Sequence, residues 1–135
     1  MITGFTCGTF DILHSGHCAM LEECRSQCDK LIVGLQTDPT IDRKNKNKPV
    51  QSLLERFIQL KSIRYVDEVY PYETESDLEN LIGILDIQKR FIGYDHYGEV
   101  HTGQALCIHR NIEIIYNKRF HHWSSSRMRN KLNEF

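Results

Sequence analysis

No long hydrophobic run, no excess of either charge and no paired-cysteine spacing occurs in these 135 residues. Each absence removes a class of function. Unbroken apolar stretches such as Leu31-Ile32-Val33 and Ile114-Ile115 fall far short of the roughly 18 residues a membrane-spanning helix needs. A soluble protein with no membrane partner is therefore expected. Lys and Arg total 17 against 18 Asp and Glu, a formal net charge of −1. That balance fits neither charge-driven disorder nor a chain that coats polyanions, so no nucleic-acid partner is expected and any basic site must be local. The five cysteines, Cys7, Cys18, Cys24, Cys28 and Cys107, form an odd set without a CxxC pair, which suits neither a disulfide framework nor a zinc ribbon. The opening Met1-Ile2-Thr3-Gly4 carries no positive segment followed by an apolar one, so reduced thiols and a cytoplasmic location are the expectation. Internal repeats and low-complexity tracts are also missing.

What is present is an alternation of short β-rich runs with amphipathic stretches, in a length that suits one domain over residues 1–135 and can bury about 68% of its unfolded surface. Strands are predicted over 2–7, 31–35, 68–70, 90–92 and 113–116. Between them Leu21, Cys24 and Cys28 recur at helical spacing, and Leu53, Leu54, Phe57, Ile58 and Leu60 mark the apolar side of a helix over 52–62. Ser52, three residues before Glu55, predicts a capping box there. Further helices are expected over 77–85, 102–109 and 125–133. Five strands alternating with helices predict an α/β fold: a single doubly wound, Rossmann-like domain with a five-stranded, mainly parallel sheet covered by helices on both faces. Function then belongs at the carboxyl ends of the strands. The polar, basic stretch Asp42-Arg43-Lys44-Asn45-Lys46-Asn47-Lys48 reads as a surface loop at that end.

The first strand runs into Gly8-Thr9-Phe10-Asp11-Ile12-Leu13-His14-Ser15-Gly16-His17, which opens the first helix. Gly8 permits a sharp turn, and Gly16 lets an anion approach the backbone N–H groups of the helix N-terminus. His14 and His17 share one face of a helical turn, each able to donate a hydrogen bond to a phosphoryl oxygen. The same pair also fits surface or capping histidines, or metal ligands. Its position after the first strand of an α/β sheet favours phosphate binding. A second phosphate cradle is offered by Ser124, Ser125 and Ser126 opening the last helix, with Arg127 in reach, although an ordinary serine cap reads equally well.

The stretch 8–17 resembles the GxFDxxHxGH signature of cytidylyltransferases in the HxGH nucleotidyltransferase superfamily. The stretch 62–69, Ser62-Ile63-Arg64-Tyr65-Val66-Asp67-Glu68-Val69, resembles bacterial glycerol-3-phosphate cytidylyltransferases. That resemblance implies CMP transfer from CTP to a small phosphomonoester such as glycerol 3-phosphate, with release of pyrophosphate and a Mg²⁺ ion bridging substrate phosphates rather than held by protein ligands. It implies catalytic roles for His14, His17 and Lys44, and nucleotide contacts from Gly8, Thr9, Phe10, Asp11, Gly16, Asp95, Arg119, Ser124, Ser125, Ser126 and Arg127. Lys46 and Arg56 would bind the acceptor. A homodimer is implied as well, with Arg64 and residues 65–67 near the contact, while Trp123 is expected in the core. The chain departs from the pattern at His121 and His122, and in its serines where threonines are usual. These departures bear on base contacts and acceptor choice. An adenylyltransferase of the same superfamily acting on a sugar phosphate or phosphorylated cofactor precursor, and a noncatalytic nucleotide sensor, are the competing readings.

Overall fold

Every strand of the computed structural model pairs in parallel, and each crossover between neighbours carries a helix. The structure describes residues 1–118 and 125–133, without the side chain of Ser125. β1 (Thr3–Gly8) leads to α1 (Ser15–Ser26), β2 (Lys30–Gln36) to α2 (Leu53–Lys61), β3 (Glu68–Tyr72) to α3 (Glu75–Ile84), and β4 (Lys89–Gly93) to α4 (Gln104–His109). β5 (Glu113–Asn117) and α5 (Ser125–Leu132) complete the order. The sheet runs β3-β2-β1-β4-β5. The chain thus winds outward from β1 in both directions, and the reversal falls between β1 and β4, where a crevice opens at the carboxyl edge.

The period-2 alternation of β2 explains why the sheet needs cover on both faces. Leu31, Val33 and Leu35 point to a cluster built with Leu21 and Cys24 of α1 and Leu60 of α2, whereas Ile32 joins Phe5, Tyr72 and residues of α3 and α4 on the other face. The capping box at Ser52 and Glu55 forms as the sequence predicts. The apolar side of α2 is narrower than its sequence suggests: Leu53, Phe57 and Leu60 pack inward, but Leu54 and Ile58 are 66% and 55% exposed. Those two stand one helical turn apart on a flank the sheet does not reach. α4 starts two residues later than predicted because Gly103 adopts φ 77°, a left-handed turn, immediately before it. Among the described residues no helix is long and apolar enough to cross a membrane.

Candidate functional site

The turn from β1 to α1 is held in an unfavourable backbone shape by contacts from elsewhere. Phe10 and Ile12 both sit at positive φ, 50° and 51°. For a β-branched residue such as Ile12 that conformation costs of the order of 1–3 kcal/mol and persists only when the surroundings enforce it. They do so here through Asp11, which is buried and accepts hydrogen bonds from Val50 N at 2.8 Å and Gln51 N at 2.9 Å and an ion pair from Arg129 on α5. The side chain of Gln51 completes the clamp by accepting from Ile12 N at 2.9 Å. Burial alone would push the Asp11 carboxyl up, but the two N–H donors and Arg129 outweigh it and hold it below the usual carboxylate range. Gly8 makes room for this turn, since a Cβ there would stand 3.2 Å from the Phe10 ring.

The clamp presents His14 and His17. His14 is the N-cap of α1, and its Nδ1 accepts from Gly16 N at 2.9 Å. His17 reciprocates, its Nδ1 accepting from His14 N at 3.2 Å. The pair is a capping box in which imidazoles replace the usual hydroxyl and carboxylate. The two rings lie 4.0 Å apart between centroids, and the Phe10 ring lies 5.4 Å from that of His17. Because each Nδ1 accepts from the backbone, each neutral ring carries its proton on Nε2, so both Nε2 atoms are donors. The capping reading and the phosphate-donor reading therefore use different nitrogens of the same rings. Gly16 differs from expectation: it is buried and its amide is spent on His14, so it orients the imidazole instead of leaving that N–H to an anion.

Two adjoining cavities open here; His17 lines the smaller, and His14 lines neither. The larger, about 610 Å³, is lined by the carboxyl-terminal residues of all five strands, from Gly8 of β1 to Asn117 of β5. The smaller, about 270 Å³, is lined by His17, Asp11 and Arg129 among others. Thr9, Arg43 and Lys46 belong to both walls. The loop lysines are thus separated: Lys46 faces the cavities, while Lys44 is exposed and lines neither. Asp95 stands in a 3-10 turn, residues 94–96, on the rim of the larger cavity with its side chain 71% exposed.

Arg56 corrects the expectation of an acceptor contact. It is 2% exposed, and its guanidinium donates to four backbone carbonyls, those of Gln51, Thr9, Gln36 and Thr37. It knots the ends of β1 and β2 to the start of α2, and four of its five N–H donors are committed to the backbone. Arg119 and Ser124 lie outside the described residues, as do Phe120, His121, His122 and Trp123. Ser125 opens α5, and Ser126 and Arg127 are exposed on that helix.

Three arginines in the cavity walls were not singled out by sequence. Arg43 donates to Gln36 Oε1 at 3.0 Å and pairs with Glu75 at 3.2 Å. Arg129 bonds Asp11, and Arg90 of β4 lies beneath the larger cavity. Only the loop position of Arg43, beside the two lysines, carried a signal; the other two reach the site through tertiary structure. Among the described residues no group of three or more His, Cys, Asp or Glu side chains gathers to hold a metal ion. Paired imidazole donors beside guanidinium and ammonium groups suit an anionic substrate bearing several phosphates.

Comparison with known proteins agrees with this chemistry. The family model described as Cytidylyltransferase-like matches residues 5–131. The protein named Bifunctional protein HldE from Nitrobacter winogradskyi is 40% identical over 113 residues, 83% of this chain and 23% of that protein. The HldE of a Caulobacter species is 44% identical over 106 residues, 78% of this chain and 22% of its own length. The chain therefore spans less than a quarter of these relatives. A lipopolysaccharide core biosynthesis protein from Thermoplasma volcanium shares the fold with a TM-score of 0.73 at 24% identity, covering 91% of this chain and 99% of its own. With the signature turn, the sheet order and the family match over nearly its whole length, the chain belongs to the cytidylyltransferase-like family of nucleotidyltransferases.

Proposed function

We propose that this chain transfers a nucleoside monophosphate from ATP to a sugar phosphate, releasing pyrophosphate. The observation that carries the transfer chemistry is the reciprocal His14 and His17 cap, which orients two Nε2 donors and sets His17 in the wall of a cationic cavity. The likeness to HldE proteins favours an adenylyl donor and a sugar phosphate acceptor over CTP and glycerol 3-phosphate.

The acceptor phosphate is ionised at neutral pH and is already a nucleophile. One of its oxygens attacks the α-phosphorus in line, the new P–O bond forms, and the bond from the α-phosphorus to the bridging oxygen of pyrophosphate breaks, its electron pair leaving with pyrophosphate. No proton needs to be removed from the attacking group, so the protein contributes alignment and charge stabilisation. His14 and His17 donate to the α-phosphoryl oxygens as charge grows there. Lys46 and Arg43, with Arg119 and the serines opening α5, hold the triphosphate. Mg²⁺ carried by the triphosphate's own oxygens would neutralise part of its charge, and no step here is assigned to it. The homodimer implied by resemblance is carried forward with this reading, and light scattering checks it.

A panel of ATP, CTP, GTP and UTP against phosphomonoesters, read as pyrophosphate release, tests the function. ATP-dependent release with a sugar phosphate is expected. Turnover of CTP with glycerol 3-phosphate would instead favour the reading carried by residues 8–17 and 62–69. Nucleotide binding without any release would make the chain a sensor.

A further inference from the structure

The described charges of the larger cavity separate into an exposed lysine, Lys46, shared with the smaller cavity, a paired rim and one buried guanidinium. On the rim, Glu75 is engaged by Arg43, while Asp95 and Glu99 flank His96 with side chains 71% and 63% exposed. Beneath them Arg90 is 4% exposed. Its Nη1 donates to the carbonyl of Thr102, and Cys7, Tyr72 and His101 share the cavity wall with it. Among the described residues no carboxylate lies within ion-pair distance of Arg90. A carbonyl satisfies one N–H and leaves the charge uncompensated, and a buried guanidinium offers five donors. The charge is felt nearby: burial, then Arg90, pushes His101 below the usual imidazole range. Cys7 is not a competing reactive group, since burial pushes its thiol up.

Sheet geometry places this cation apart from the phosphate cradle. Arg90 is in register with Phe5, whose side chain lies on the face covered by α3 and α4. His17 rises from α1 and packs against Phe10, whose cluster lies on the opposite face. A nucleoside triphosphate carries its negative charge on its phosphates, which belong with His14, His17 and Lys46. The reacting phosphate of the acceptor must meet the α-phosphorus in the same place. Neither supplies the anion Arg90 calls for.

We infer that Arg90 receives a second anionic group of the acceptor, so that the natural acceptor is a phosphomonoester bearing a further phosphate or carboxylate. The inference rests on the nucleotidyl-transfer reading for the identity of the ligand. Glucose 1-phosphate, glucose 1,6-bisphosphate and glucuronic acid 1-phosphate differ only at carbon 6, which is a primary alcohol, its phosphate ester or a carboxylate. With the full chain and ATP, one of the two doubly anionic sugars should exceed glucose 1-phosphate in kcat/KM by about ten- to a hundredfold, the scale of one charge-assisted pair. Which of them gains identifies the anion. Arg90→Met should erase the gap and leave the KM for ATP within twofold, and Arg90→Lys should restore part of it. A wild-type enzyme indifferent to the group at carbon 6, or an Arg90→Met enzyme whose defect lies in the ATP KM, overturns the inference. Pyrophosphate release absent with every sugar would instead defeat the function reading, and the anion site is then judged by melting temperature. Inorganic phosphate should stabilise the wild type more than Arg90→Met, and equal shifts overturn the site.

Discussion

Replacing His14 by asparagine separates the two jobs its ring performs. Nδ1 caps α1 through Gly16 N at 2.9 Å, and Nε2 is the donor assigned to the α-phosphate. Asparagine is among the best N-cap residues, and its Oδ1 can take the place of Nδ1, but it has nothing at the position of Nε2. His14→Asn should therefore melt within a degree or two of the wild type while kcat falls by about 10²- to 10³-fold, the loss expected for one preorganised donor. His14→Ala loses both. Its missing cap costs about 1 kcal/mol, which in a domain of this size lowers the melting temperature by about 4 °C. Calorimetric melting and pyrophosphate release, run on both variants, give the two readouts. Wild-type turnover by His14→Asn would refute the donor role, and an Ala variant as stable as the wild type would refute the cap.

Three other expectations follow from the same geometry. Arg56→Met leaves four carbonyls, one buried and three part-buried, without their donor and should cost about 3 kcal/mol or more in urea unfolding, with Arg56→Lys rescuing little because one ammonium cannot span them; a fully stable lysine variant with a raised acceptor KM would return Arg56 to the binding site. Asp11 titrates below its unfolded value, so its contribution to stability is present above about pH 4, the unfolded carboxylate range, and is lost as pH falls through the folded value. Asp11→Asn should accordingly show a flatter acid limb than the wild type, and parallel curves would contradict this. Lys46→Ala should lower kcat/KM at least about tenfold while Lys44→Ala stays within twofold; the reverse order would place the working lysine at 44.

The alternation of strands and helices was readable because each segment's period matches its cover: β2 is apolar on both faces, and the serine and glutamate that start α2 form their box locally. The histidine pair was readable for the same reason, since its contacts span three residues. Distant partners were not. Arg56 carries the same side chain in sequence whether it meets a substrate or four carbonyls, and the carbonyls come from two separate loops and the end of β2. Arg90 reads as a strand residue, and its lack of a carboxylate partner among the described residues exists only once β4 lies beside β1. Leu54 and Ile58 show the converse error, in which periodicity reports an apolar flank without reporting whether the sheet extends under it.

The central position of β1 also sets an order in which the molecule can be completed. Phe5 aligns with Ile32 on one side and Arg90 on the other. The first pairing closes a short loop, the second one several times longer, and closure entropy grows with the length enclosed. The β1-β2-β3 half, with the capped histidines, is therefore the cheaper nucleus, and the crevice between β1 and β4 is the last feature to exist. A substrate bridging that crevice has nothing to grip until folding is nearly over. It should slow unfolding while leaving the refolding rate almost unchanged.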